Sequence, residues 1–260
     1  IRQAKQVPVL INYTVGKKRH EKKPDQADLD LIETIENSDI PYWFPTDRMP
    51  EGDESRRNDR TGLTHVHHFY TTRSILLLQT LRKIEKSSPQ KAFLWFLIEQ
   101  WVIGLSKLNR YSPHHYSQNN RNLSGTLYVG SQISEVSPQY AMPGKAKRLI
   151  QAFADYDVRS YNSSLATQNM GIFPTHSCIA DYIFTDPPFG GNLMYSELNF
   201  LWEAWLQVFT NNKPEAITNN IQGKGLLEYQ HLMSKCFAEY YRVLKPGRWM
   251  TVEFHNSKNS

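Results

Sequence analysis

The sequence predicts an α/β protein, and three observations carry that class. A short run of aromatic and β-branched residues, Tyr182-Ile183-Phe184 with Ile179-Ala180 before it, ends in Pro and Gly, as a buried strand does. A second run, Trp249 to Phe254, alternates like a strand after a Lys245-Pro246-Gly247 stop. Elsewhere several stretches keep the helical spacing of apolar residues.

With 260 residues the chain can bury one large core or two small ones. A hydrophobic content of 40% with 21% charged residues is ordinary for a soluble globular protein. A net charge of +5 is compatible with a polyanionic partner. Two cysteines, Cys178 and Cys236, exclude a disulfide-dense scaffold and point to a reducing compartment, so a cytoplasmic location is expected. The most apolar run, Ala92 to Leu105, is broken by Glu99 and Gln100 and is short for a bilayer; it reads as a core helix, and no membrane partner is expected.

Taken in order, residues 1–23 hold seven Lys or Arg against one acid, Glu21, around a strand-like Val7 to Tyr13. A phosphate-contacting arm and a solvated turn both fit that cluster. A helix is expected from Pro24-Asp25, with Leu29, Ile32 and Ile35 inward. Pro41 to Asp59 reads as a loop carrying Tyr42, Trp43 and Phe44 ahead of Arg56, Arg57 and Arg60. Such a mixture suits nucleic acid or an ordered loop packed on the core. His65, His67 and His68 raise a metal site, but no Cys pair or fourth ligand accompanies them, so a polar or structural role is preferred and no metal is expected.

A helix is expected from about Ser74, capped by Thr72 or Ser74, with Ile75, Leu78, Leu81 and Ile84 inward. Lys91 to Leu108 reads as a second helix with Trp95 and Trp101. Tyr111 to Arg121, with His114, His115 and Gln118, reads as a polar surface segment. Leu127 to Val129 reads as a strand. Lys145 to Phe153 reads as a helix with Leu149 and Ile150 apolar and Lys145, Lys147 and Arg148 exposed. A helix from Ser196 puts Leu198, Leu201, Trp202, Trp205 and Phe209 on one face, a core stripe. Leu226 to Leu244 is amphipathic, with Tyr229, Met233, Cys236 and Tyr240 at helical spacing and Cys236 a packed thiol.

The chemistry concentrates at Asp186-Pro187-Pro188-Phe189-Gly190-Gly191, just past the first strand. Ligands of open α/β sheets bind beyond the carboxyl ends of strands. An aromatic amine is a poor nucleophile because its lone pair is delocalised into the ring. Two acceptors aimed at its N–H bonds draw that pair back onto nitrogen. Asp186 offers a carboxylate; Pro187 offers a carbonyl held by two fixed φ angles, with no N–H on Pro188 to compete. Phe189 offers a flat face for an extruded base. The glycines allow close approach of a substrate or of backbone.

Asp186-Pro187-Pro188-Phe189 resembles the Asp/Asn-Pro-Pro-Tyr/Phe/Trp motif of S-adenosylmethionine-dependent amino methyltransferases acting on nucleic-acid bases. The resemblance implies that Asp186 and Pro187 bind the target amine, that Phe189 stacks on the flipped base, and that the methyl group moves directly from the cofactor. Aspartate at the first position looks more like the adenine-N6 enzymes than the cytosine-N4 ones. Gly62 to Arg73, Gly125 to Val129 and Asp186 to Leu201 together are similar to prokaryotic site-specific DNA methylases with a long insert. By that analogy residues 1–160 are the mainly helical, DNA-contacting insert and residues 161–260 are the catalytic part of a Rossmann-like methyltransferase sheet, present only in part. Asn192 and Tyr195 stand at the mouth of the site for the base or the cofactor carboxylate, with Glu197 and Asn199 as lesser candidates.

The expected function is therefore DNA adenine-N6 methylation, with S-adenosylmethionine as cofactor, DNA as partner, and a restriction or other defence-system subunit as a further partner implied by the resemblance. An inactive DNA-binding remnant and an RNA or protein-amide methyltransferase are the alternatives. One part of the family pattern is missing. No Phe-x-Gly-x-Gly turn follows a first strand, and Gly223-Lys224-Gly225 lies in a loop with no strand before it. With Ile1 at the start, the expectation is a fragment whose cofactor turn lies upstream, and no cofactor-binding residue is assigned. Calorimetric titration of the chain with S-adenosylmethionine is expected to show at most weak binding; micromolar affinity contradicts this.

Overall fold

The computed structural model describes residues 5–113, 122–155 and 164–255. The chain is mixed α/β, with eight α-helices and two small sheets among the described residues. It divides into two compact units. The first comprises residues 1–49, 57–157 and 201–207; the second comprises residues 50–56, 158–200 and 208–260. His114, His115 and Gln118 lie outside the described residues. No described helix is long and apolar enough to cross a membrane.

The first unit opens with an antiparallel hairpin, β1 (Ile11–Val15) and β2 (Lys18–Lys22). The expected strand over Val7 to Tyr13 is therefore displaced. The turn needs a residue at positive φ, and Gly16 supplies it at +61°. That turn sets which residues pair. Helix α1 (Gln26–Glu36) follows, capped by Asp25, whose side chain accepts from the Asp28 N–H while Asp28 reaches back to the Asp25 N–H. Leu29, expected inward, is exposed, and no residue of α1 is fully buried.

The stretch Pro41 to Asp59 is not all loop, because α2 (Asp53–Asp59) lies within it. The aromatic loop of the first unit packs on its own core. The Tyr42 N–H donates to buried Gln79 at 2.7 Å, and the Trp43 ring meets Trp205 edge-on. Val66 to Phe69 form a 3-10 turn that buries Val66 and Phe69 completely. The rings of His65, His67 and His68 sit on it with centroids 4.3 to 5.7 Å apart. Their planes meet at 51° to 67°. Thr64 occupies two of those nitrogens, its hydroxyl 2.8 Å from Nδ1 of His65 and its N–H donating to Nδ1 of His68. Among the described residues no group of three or more His, Cys, Asp or Glu could hold a metal ion.

Helix α3 (Thr72–Ser87) begins two residues earlier than expected, because Thr71 is the cap and accepts from the Ser74 N–H. Ile75 and Leu78 are buried, but Ile84 is 52% exposed and Glu85 takes the inward position beside Arg82. Arg82 lies over the Trp95 ring, so the charge pair and a cation–π contact replace an aliphatic contact. Helix α4 (Lys91–Gly104) buries Trp101 fully. Leu127 to Val129 forms no strand; the Leu127 carbonyl accepts from the buried Asn58 amide instead. Helix α5 (Pro138–Asp155) is longer than expected and contains Pro143. Leu149 is buried, Ile150 is exposed, and Lys145 is drawn over the Trp101 ring at 5.1 Å instead of standing free.

The second unit contains a parallel pair, β3 (Ala180–Thr185) and β4 (Leu244–Val252), joined through α8 (Leu226–Val243). Lys245-Pro246-Gly247 forms a detour inside β4, with Gly247 at φ +73°. Strand β3 is not buried as expected. Tyr182, Phe184 and the neighbouring Trp249 are 56%, 62% and 80% exposed. The reason is that α8 covers only the other face, where Tyr240 lies 3.1 Å from the Thr185 hydroxyl. The single helix expected after the motif is broken at Asn199 into α6 (Tyr195–Leu198), in the second unit, and α7 (Phe200–Leu206), nearly all of it in the first. Leu201 and Trp205 are buried in the first unit as a core stripe requires, but Phe209 falls beyond α7 and is exposed.

Burial, then the charges of His68, His65 and Lys107, pushes the His67 imidazole from 6.5 down to about 4. The unfolded chain therefore binds more protons than the folded one between these values, and stability is lost as pH falls from 6.5 towards 4. Thermal melting followed across that range is expected to show a falling midpoint, and His67→Asn is expected to flatten the slope.

Candidate functional site at the carboxyl ends of the parallel strands

Everything in this site belongs to the second unit. Asp186 is the first residue past β3 and is exposed to solvent, while Pro187 is buried. The parallel pair closes beside it, where the Glu253 N–H donates to the Thr185 carbonyl at 2.9 Å. Asp186 therefore stands at the carboxyl ends of both strands, the side of a parallel pair where side chains are free to meet ligands.

The two prolines are treated differently. The Tyr229 hydroxyl, from the first turns of α8, donates to the Pro188 carbonyl at 2.7 Å. Among the described residues no donor reaches the Pro187 carbonyl, and none reaches the Asp186 carboxylate. Two neighbouring acceptors are thus left without a donor among the described residues, while the carbonyl after them is tied down. The Phe189 ring meets Phe254 edge-on, with centroids 5.3 Å apart. Tyr229 and Phe254, with Gln230, Met233, Ser234, Phe237 and Val252, line an open groove of about 530 Å³.

Gly190 and Gly191 make the turn that follows. Gly190 is at φ +60° and its carbonyl accepts from the Thr218 N–H at 3.2 Å. A Cβ on Gly191 would lie 2.7 Å from the Thr218 hydroxyl. Of the two close approaches expected for these glycines, it is the chain itself that makes one. Asn192 is exposed and its N–H returns to the Phe189 carbonyl at 3.3 Å. Tyr195 is exposed near the acid: burial, then the charges of Asp186 and Glu215, pushes its phenol up. Asp186, Pro187, Phe189, Asn192 and Tyr195 therefore fall in one short segment from the end of β3 to the start of α6.

Glu197 does not belong among the groups that meet a ligand. It is fully buried. One carboxylate oxygen accepts from the Ser55 N–H at 2.7 Å at the start of α2, and the other from the Asn219 amide at 3.0 Å. Burial pushes its carboxyl up, and hydrogen bonds from Ser55, Asn219 and Glu54 act against that. Asn219 also donates to the Met194 sulfur at 3.3 Å and pairs with Lys224 through both main-chain groups. The loop holding Thr218, and with it the Gly190-Gly191 turn, is thereby fixed to a buried acid. Asn199 is exposed, and its N–H returns to the Tyr195 carbonyl. Sequence reasoning missed the Tyr229 hydroxyl, which sits on the inward face of an amphipathic helix and reads there as core.

Two glycine loops expected to matter for a ligand are both engaged by their own chain. Gly190-Gly191 is the only glycine pair just after a strand among the described residues, and Thr218 takes up its approach. Gly223 and Gly225 flank Lys224, whose ammonium donates to the Asn212 and Glu215 carbonyls at 2.6 and 2.9 Å, so that loop is occupied by its own chain.

No family model, curated protein or solved structure matches this chain.

Gly52 tests the importance of the Glu197 anchor. A Cβ there would sit 2.0 Å from the Glu197 carboxylate, which is buried and cannot yield. Gly52→Ala is expected to lower stability by about 1–3 kcal/mol, and Glu197→Ala, which strands the donors of Ser55 and Asn219, by about 3 kcal/mol or more. Urea unfolding checks both.

Proposed function

We propose that this chain carries the base-binding part of a DNA amino methyltransferase, with the exocyclic N6 of adenine as the target. What supports the reading is one observation: the exposed Asp186 carboxylate and the carbonyl of the next residue, Pro187, at the carboxyl end of a parallel strand, have no hydrogen-bond donor among the described residues. An NH₂ group has two N–H donors. Asp186 takes one and Pro187 takes the other, and the nitrogen lone pair is drawn out of the ring and made nucleophilic. Tyr229 contributes by holding the Pro188 carbonyl, which keeps the Pro187 carbonyl from turning inward. Phe189, propped edge-on by Phe254, gives the base its stacking face. Exposed Asn192 and Tyr195 follow in the same segment, with Tyr195 near enough to feel the Asp186 charge.

The methyl donor under this reading is S-adenosylmethionine, and no residue of this chain is assigned to it. The motif resemblance supplies the rest: the prokaryotic DNA methylase class, a Rossmann-like sheet of which β3 and β4 are two strands, a DNA-contacting role for residues 1–160, and a restriction or defence subunit as partner. A second reading, a DNA-binding remnant without activity, is favoured by the absence of a free glycine-rich turn among the described residues.

The test is methyl incorporation into duplex DNA by the full-length gene product that carries this chain, with digestion to nucleosides to identify the modified base. N6-methyladenine is the expected product. Asp186→Ala is expected to abolish incorporation, by a factor of about a thousand or more, while leaving DNA affinity nearly unchanged. Turnover retained in that variant removes Asp186 from the mechanism; no incorporation by the unaltered protein favours the remnant.

A further inference from the structure

We infer that the β1–β2 hairpin is a duplex-DNA arm that enters the major groove through its basic tip. The inference deepens the function proposed above, and rests on it for the identity of the polyanion. Two-stranded hairpins are marginal in water and are stabilised by packing one face on a core. This one does not: every residue from Asn12 to Glu21 is exposed.

Among the described residues the arm is held at its root. Lys22 pairs with Asp25 at 2.9 Å and Asp28 at 2.7 Å, the two residues of the α1 capping box. That leaves the far end to present its charges. Lys17, Lys18 and Arg19 stand together at the turn, with Glu21 the one acid in the hairpin. One face pairs Tyr13 with His20 and Val15 with Lys18. Its Tyr13 and His20 rings are stacked 5.4 Å apart, which stiffens the ribbon. A face with an aromatic stack, a valine and Lys18, with Lys17 at the turn and Arg19 on the opposite face, matches a groove lined by thymine methyls and phosphates.

Dimensions agree. A two-stranded ribbon fits the major groove of B-form DNA, about 12 Å wide and 8.5 Å deep. Five residues of strand reach about 17 Å, which exceeds that depth. The major groove of duplex RNA is deep and narrow and does not admit such a ribbon. The arm therefore selects DNA by groove width before any base is read.

The experiment is fluorescence anisotropy of a labelled 20-base-pair DNA duplex against this chain over a range of salt. The arm variant is Lys17→Ala/Lys18→Ala/Arg19→Ala. The control is Lys213→Ala/Lys235→Ala/Arg248→Ala, which removes equal charge from exposed positions of the second unit. The arm variant is expected to bind about tenfold or more weakly, and the slope of log affinity against log salt is expected to flatten by about 2–3. Equal loss in the control, unchanged binding by the arm variant, no binding by the unaltered chain, or duplex RNA bound as tightly as DNA each overturns the assignment. The readout does not involve methyl transfer. Arm-dependent DNA binding in a protein that never methylates would sink the proposed activity and leave the arm standing.

Discussion

The candidate site depends on one buried carboxylate. Glu197 lies out of water in the second unit, and its two oxygens are taken by the start of α2 and by Asn219. A buried carboxyl in that position is costly unless its oxygens meet donors, and here each one does. The consequence is rigidity in the neighbouring chain. Asn219 holds the loop that carries Thr218, Thr218 closes on Gly190-Gly191, and that turn fixes where Asp186 to Phe189 can point. The acid that meets solvent is thus aimed by an acid that does not.

The same division runs through the motif itself. Of its two carbonyls, the one on Pro188 is consumed by Tyr229, and the one on Pro187 is left without a donor among the described residues. Of its rings and prolines, Pro187 is buried while Phe189 is propped by Phe254. A proline pair sets the φ angles, but tertiary contacts decide which oxygen stays available. Preorganisation of this kind costs nothing at the moment a ligand arrives.

Much of this was legible in the sequence wherever the signal is local. The strand ahead of Asp186, the Asp25 cap of α1, and the periods of α3, α4 and α8 are all written within a few turns of chain. What stayed hidden depends on partners far along the chain. Helix α2 reads as loop because its N-terminal cap is Glu197, more than a hundred residues away. Glu85 sits inward in place of Ile84 because Arg82, itself held over Trp95, is there to meet it. Periodicity assigned Tyr229 to the core correctly, since it is buried, yet gave no hint of what its hydroxyl would hold. Burial of β3 was overestimated because an aromatic strand looks the same whether one face or both are covered.

The detour at Lys245-Pro246-Gly247 has a geometric consequence of its own. Leu244 aligns with Ala180 and Trp249 with Tyr182, so β4 advances five residues while β3 advances two. An odd advance along an uninterrupted strand would swap its sides. The loop absorbs the difference in phase, and Met250 and Val252 are returned to the α8 side while Trp249 and Thr251 turn outward. Removing one residue from those three would turn the end of the strand inside out, exchanging methionine and valine for tryptophan and threonine against the helix.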